Sequence, residues 1–167
     1  SRTVIAASFT PTGYVNSTAD GYDLTGSWGY CSGIDNCPWI IVAAKILSPD
    51  GSDSGDKGYA LVPTHELQII DDWQVVGLYG TGSKSVTCEK LFVPSHRFLA
   101  LEDTMTGNPP GADHNPGDLY KIPLFSAISC SLVAPIMGMA QGALDEFVQM
   151  TRDRTTRGAA LSQPSPM

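Results

Sequence analysis

Apolar and polar positions alternate over short stretches in the first hundred residues and recur at helical spacing beyond residue 122. The chain therefore reads as strands followed by a helix. Candidate strands are 3–9, 21–24, 27–31, 39–47, 58–62, 67–70 and 85–93, rich in Val, Ile, Trp and Tyr and bounded by Gly, Pro, Asp and Ser clusters. Seven short strands at this spacing predict an antiparallel sandwich or barrel. Segment 48–57 is polar and predicts an exposed hairpin loop, and 102–118, rich in Gly, Pro, Asp and Asn, predicts a linker. From Ile122 to about Arg154, Leu132, Ile136, Met139, Ala143, Phe147 and Met150 fall near one stripe of a helix. Pro135 predicts a kink or a second helical segment, and Gly138 and Gly142, four apart, admit the close approach of another helix. A helix with so broad an apolar face needs a bundle to cover it. The expected organisation is a β domain at 1–102, a linker at 103–121, and the opening of a C-terminal helical domain at 122–167. The fold class is mainly β with one long α-helix of an incomplete bundle, α+β overall.

Composition narrows the function classes. The 167 residues are 42% hydrophobic and 16% charged, a globular balance with material for a core. Ten basic residues against seventeen acidic ones give a net charge of −7, which disfavours nucleic acid and anionic membranes as partners. The apolar run 124–150 is interrupted by Ser126, Ser129, Pro135, Gln141, Asp145 and Glu146, so it reads as a bundle helix and not as a membrane span. Cys31, Cys37, Cys88 and Cys130 form no CxxC pair and have no histidine at zinc spacing, so reduced thiols in a cytosolic protein are expected, with a Cys31–Cys37 disulfide as the alternative. No signal peptide is read at the first residues, and the helix at the other end gives the chain the look of an excerpt.

Several motifs fail on inspection. Segment 77–85 resembles a phosphate loop, but Ser83 separates Gly82 from Lys84, and the alternating residues that follow predict a strand where a phosphate loop opens a helix. The histidines His65, His96 and His114 share no face with other metal ligands, so no metal is expected. There is no G-x-S-x-G elbow for a serine hydrolase. Trp28, Trp39, Trp73 and Phe92 read as strand aromatics that belong to the core.

Two segments are more specific. Residues 21–39 (Gly-Tyr-Asp-Leu-Thr-Gly-Ser-Trp-Gly-Tyr-Cys-Ser-Gly-Ile-Asp-Asn-Cys-Pro-Trp) and the run from Trp73 through Lys84 to Val93-Pro-Ser-His-Arg97 resemble the middle β domain of acyl-CoA dehydrogenase-fold flavoproteins. Within that superfamily they are most similar to the aromatic hydroxylase branch, which receives reduced flavin from a separate reductase. The run from Gly138-Met-Ala-Gln-Gly-Ala-Leu-Asp145 to 152–158 resembles the first helix of the family's C-terminal bundle.

The resemblance implies a flavin-dependent monooxygenase that uses reduced flavin and O2, through a C4a-hydroperoxyflavin, to hydroxylate a phenolic or related small molecule. Tyr30, Cys31, Ser32 and Gly33 would lie against the flavin ring, Tyr30 covering a face and the Ser32 hydroxyl reaching flavin N5 as the catalytic contact. Ser8 and Phe9 on the first strand would add a second contact, and Arg154 would bind a flavin phosphate. Taken alone, Ser32 also suits the start of a turn, and Arg154 a solvated charge at a helix end. The implied cofactor is reduced FMN, or FAD, without metal. The implied partners are a small aromatic substrate, a flavin reductase and further copies of the chain in a homotetramer, in the cytoplasm. Relatives often carry Arg where Tyr79 stands, and residues 10–14 lack the acidic-Pro-Gly-x-Gly-Ser run that holds FAD phosphate in the dehydrogenases. The second departure favours the hydroxylase branch over an FAD-dependent acyl-CoA dehydrogenase. A non-catalytic β module that binds a ligand is the third reading. The general base would lie outside this chain.

Overall fold

The structure is a computed structural model that describes residues 3–107 and 109–152. The chain divides into two compact units, 1–121 and 122–167. The first holds seven strands: β1 (Ile5–Ser17), β2 (Gly21–Trp28), β3 (Trp39–Leu47), β4 (Asp53–Pro63), β5 (Gln68–Ile70), β6 (Ser85–Pro94) and β7 (Phe98–Ala100). A five-residue helix, α1 (Leu101–Met105), follows.

All seven strands belong to one sheet in the order β5-β6-β2-β1-β3-β4-β7. Five of the six pairings are antiparallel, and β1 runs parallel to β3. The fold is thus mainly β, as expected, with one parallel pairing that alternation does not report. Ala6, Val15, Leu24, Trp28, Ile40, Val42, Ala60, Val62, Val86 and Val93 are buried in one cluster. Although β4 and β6 are separated by three strands in the sheet, they approach each other, so the sheet coils around this cluster as a barrel does.

Strand boundaries moved where tertiary pairing overrode local signals. The first strand runs on through Pro11 to Ser17, because 9–12 bulge out of the ladder: Ser8 pairs with Val42 and Gly13 with Ala44. A bulge is where proline, lacking a donor, is tolerated. It also shifts the inward-facing positions from Ala6 and Ser8 to Gly13 and Val15, a change of parity that breaks simple alternation. The two segments expected at 21–24 and 27–31 are one strand ending at Trp28. Strand β7 was not expected.

Trp28 is fully buried, and its indole Nε1 donates to Ala43 O at 2.7 Å. Two glycines make room for the ring. A methyl on Gly13 would land on Trp28, and one on Gly26 would strike both Trp28 and the Gly13 backbone. The other aromatics grouped with it differ. Trp39 and Trp73 are half-buried and Phe92 is exposed, with Trp73 outside any strand.

The second unit contains α2 (Leu124–Arg152), within a residue or two of the expected span, with Pro135 inside it. Its large apolar residues, Leu132, Val133, Ile136, Met137, Met139, Leu144, Phe147 and Met150, are exposed. By length and composition it is long and apolar enough to cross a membrane, a test that core helices also pass.

Replacing Gly13 by Ala should lower the stability of the intact protein by about 1–3 kcal/mol, the usual cost of overpacking a filled core. Gly80→Ala, where nothing lies within 4 Å, should change it by less than about 0.5 kcal/mol. Denaturant midpoints of the two variants check this, and equal midpoints would contradict the packing around Trp28.

Candidate functional site

Leaving the end of β2, the chain reverses sharply. Tyr30 takes a left-handed backbone, φ 59°, which is costly for a non-glycine residue and persists only where surrounding bonds fix it. Those bonds come mainly from loop 71–84. Cys31 N–H donates to Lys84 O at 3.0 Å and Gly33 N–H to Thr81 O at 2.8 Å, while Ser32 N–H donates back to Tyr30 O at 2.9 Å. From β1, the buried Ser8 hydroxyl donates to Gly29 O at 2.9 Å and steadies the near side of the turn. The Tyr30 ring is consequently held out at 77% exposure, with Trp73 edge-on at 5.9 Å.

Beside it runs a line of hydroxyls. Ser32 Oγ lies 2.7 Å from Ser83 Oγ, and Ser83 Oγ lies 2.7 Å from Thr81 Oγ1. Thr81 Oγ1 is in turn 2.9 Å from Leu78 O, to which it donates. Ser83, met in the sequence as the residue that spoils a phosphate loop, is the buried centre of this line.

Charges lock the loop from behind. Lys84 Nζ sits 2.9 Å from Asp35 and 3.5 Å from Asp71, and the hydrogen bond it donates to Asp35 raises its pKa. That ammonium is engaged by carboxylates, and 77–85 contains only the 3₁₀ turn Tyr79–Thr81 before β6, so the segment is not built as a phosphate cradle. Asp72 accepts from Ser85 N–H at 2.9 Å and from Ser85 Oγ at 2.6 Å. These two bonds hold the Asp72 carboxyl below its ordinary value of 3.8.

The expected site residues fall into distinct positions. Tyr30, Ser32 and Gly33 share the turn facing loop 71–84. Cys31 belongs to the turn too, but its side chain is fully buried, with Sγ 3.4 Å from Trp28 O. Burial pushes this thiol up to about 11, so it is neutral and carries no nucleophile. Ser8 reaches the turn through Gly29, whereas Phe9 packs edge-on against Tyr59 at 5.6 Å. Arg154 lies outside the described residues. Cys31 and Cys37 are free thiols, as the first of the two cysteine readings had it. Two other hollows are lined by 34–38 with Thr64, His65, Leu67 and Ile69, and by 87–92 with Glu66 and Gln68.

An aromatic ring held in the open beside a fixed hydroxyl pair suits a planar heteroaromatic ligand with a polar edge, which is what a flavin ring presents. No family model matches the chain. The oxygenase component of the FADH2-dependent resorcinol hydroxylase of Rhizobium sp. (strain MTP-10005) is 36% identical over 157 residues, 93% of this chain and 38% of that protein. Over nearly its whole length the chain is thus similar to flavin-dependent oxygenase components. A crystal structure of 3-HSA hydroxylase from Rhodococcus sp. RHA1 superposes with a TM-score of 0.85 at 34% identity, covering 95% of this chain and 40% of that one. XiaF from Streptomyces sp., solved in complex with FADH2 and glycerol, gives 0.76 at 28% identity, over 94% and 39%. The chain thus spans about two fifths of the length of these relatives, whose fold is that of the acyl-CoA dehydrogenase-like flavoproteins.

Because the folded pKa of Asp72 is depressed, the stability it lends to loop 71–84 is complete above its unfolded value, about pH 4, and is lost as pH falls through the folded value. Carboxyl-carbon NMR titration of the intact protein should place Asp72 below 3.8, and Ser85→Ala should move it up toward that value. An Asp72 that titrates normally would remove this tether from the loop.

Proposed function

We propose that this chain is part of the oxygenase component of a two-component monooxygenase, which takes reduced flavin from a separate reductase and hydroxylates a small phenolic molecule. The observation that carries the reading is the turn at 30–33, with its exposed Tyr30 ring beside the Ser32–Ser83 hydroxyl pair, in a chain whose relatives are named as flavin-dependent hydroxylases. Those names favour hydroxylation over acyl-CoA dehydrogenation.

Reduced flavin, when bound, supplies the electrons and the position at which dioxygen is activated. The chain's own residues bind and orient it. Tyr30, whose left-handed backbone accompanies a side chain exposed to solvent, would cover one ring face. The Ser32 hydroxyl, held in place by Ser83, would meet the polar edge of the ring at N5. Ser8 fixes the start of the turn, and the backbone of Cys31 and Gly33 ties it to loop 71–84. Phe9 and Arg154 are assigned the outer ring contact and a flavin phosphate. FMN is preferred to FAD.

Residues 1–102 are read as the middle β domain, 103–121 as a linker and 122–167 as the opening of a helical domain. The apolar circumference of α2 suits a bundle that packs across copies of the chain in a cytoplasmic homotetramer.

Anaerobic titration of the intact protein with reduced FMN and reduced FAD tests the reading. Binding is expected, weakened about tenfold by Tyr30→Ala, as loss of a stacked aromatic does. Admitting oxygen with a panel of phenols should then give a hydroxylated product. Absence of affinity for either flavin in either redox state would overturn the proposal.

A further inference from the structure

Ser83 is 5% exposed, and its hydroxyl has two neighbours, Ser32 Oγ and Thr81 Oγ1, each at 2.7 Å. A hydroxyl carries one proton. At 2.7 Å each oxygen pair needs a proton between its members, because two facing lone pairs at that distance repel. Accepting from both would leave the proton of the buried Ser83 without a partner, so Ser83 donates to one neighbour and accepts from the other. The line has two polarities, and its three hydroxyls turn together.

The two are not equivalent. In the inward polarity Ser32 donates to Ser83, Ser83 to Thr81, and Thr81 to Leu78 O, 2.9 Å away, so every proton is used inside the protein. Ser32 then shows only lone pairs to the outside. In the outward polarity Thr81 donates to Ser83 and Ser83 to Ser32, which directs its proton outward. Leu78 O then loses the Thr81 hydroxyl and keeps the N–H of Thr81 at 3.0 Å and the indole N–H of Trp73 at 3.3 Å. A carbonyl cannot donate, so Leu78 O biases the line inward. A ligand donor at Ser32 adds a hydrogen bond at no internal cost, whereas a ligand acceptor there must reverse the line and forfeit one.

We infer that Ser83 and Thr81 are positioning residues that hold the Ser32 hydroxyl as an acceptor, so that the site discriminates between flavin redox states at the ring nitrogen N5. That nitrogen carries hydrogen in reduced flavin and a bare lone pair in oxidised flavin. The inference rests on the flavin reading above and adds what sets the preference. One neutral hydrogen bond corresponds to a discrimination of about fivefold in favour of the reduced form.

The readout is the ratio of the Kd for oxidised flavin to that for reduced flavin, measured anaerobically on the intact protein with the same flavin. Thr81→Val and Ser83→Ala each free the line from Leu78 O, and each should lower the ratio about fivefold. For a two-electron couple this is a fall of about 20 mV in the potential of bound flavin. Thr81→Ser restores the hydroxyl and should keep the parental ratio, and thermal melts should show all three variants folded. A ratio that Ser32→Ala shifts but Thr81→Val and Ser83→Ala leave unmoved would overturn the relay and spare the flavin reading. A ratio that Ser32→Ala does not shift, or that Thr81→Ser lowers as far as Thr81→Val does, would overturn the inference as well. Failure of the parent protein to bind either redox form would overturn the functional reading itself.

Discussion

The burial of Trp28 between two glycine-bearing strands is the contact on which the sheet and the site both depend. The ring fills the space left by Gly13 on β1 and Gly26 on β2, and its indole N–H is paired with Ala43 O on β3. One side chain thereby ties three neighbouring strands. Its burial removes a large aromatic surface from water, and its hydrogen bond satisfies the one polar group it takes inside. The position also matters, because Trp28 ends β2 and the turn with Tyr30 and Ser32 starts two residues later. An anchored strand end gives that turn a fixed point of departure.

From there the site is built by backbone pairing between two irregular segments. Cys31 and Gly33 donate to carbonyls of loop 71–84, and Lys84 binds a carboxylate on each side, Asp35 near the turn and Asp71 in the loop. The two carboxylates are exposed to water, so the worth of the pairs lies in orientation more than in stability. What they orient is a pair of unfavourable backbones. Tyr30 and Leu78 both adopt positive φ, and both side chains point into solvent, at 77% and 78% exposure. Strain retained at two exposed apolar residues on facing segments fits a surface shaped to meet a ligand.

Electrostatics within the turn are quiet by contrast. Cys31 is neutral through burial, and the hydroxyls of Ser32, Ser83 and Thr81 carry no charge. A site of this kind acts through hydrogen-bond direction and shape, which suits holding a redox cofactor whose own chemistry does the work.

The strand-rich first hundred residues, the helix beyond Leu124 and a turn at Gly33 were legible in the sequence, because alternation, helical spacing and glycine-bearing turn segments are local signals. The failed phosphate loop was legible too, since one inserted residue and a following strand suffice to exclude it. Tertiary structure decided the rest. The parallel pairing of β1 with β3 and the bulge that lets a strand run through Pro11 depend on partners thirty residues away. The fusion of two expected strands into β2 follows from its ladder with β6, 58 to 73 residues on. Ser83 and Thr81 gave no signal of function, because a hydroxyl acquires a role only when folding sets another hydroxyl 2.7 Å from it, and Ser32 and Ser83 are 51 residues apart in the chain. Periodicity reports which face of an element is buried. Which polar atoms meet across two loops is settled only by the register of the sheet that carries them.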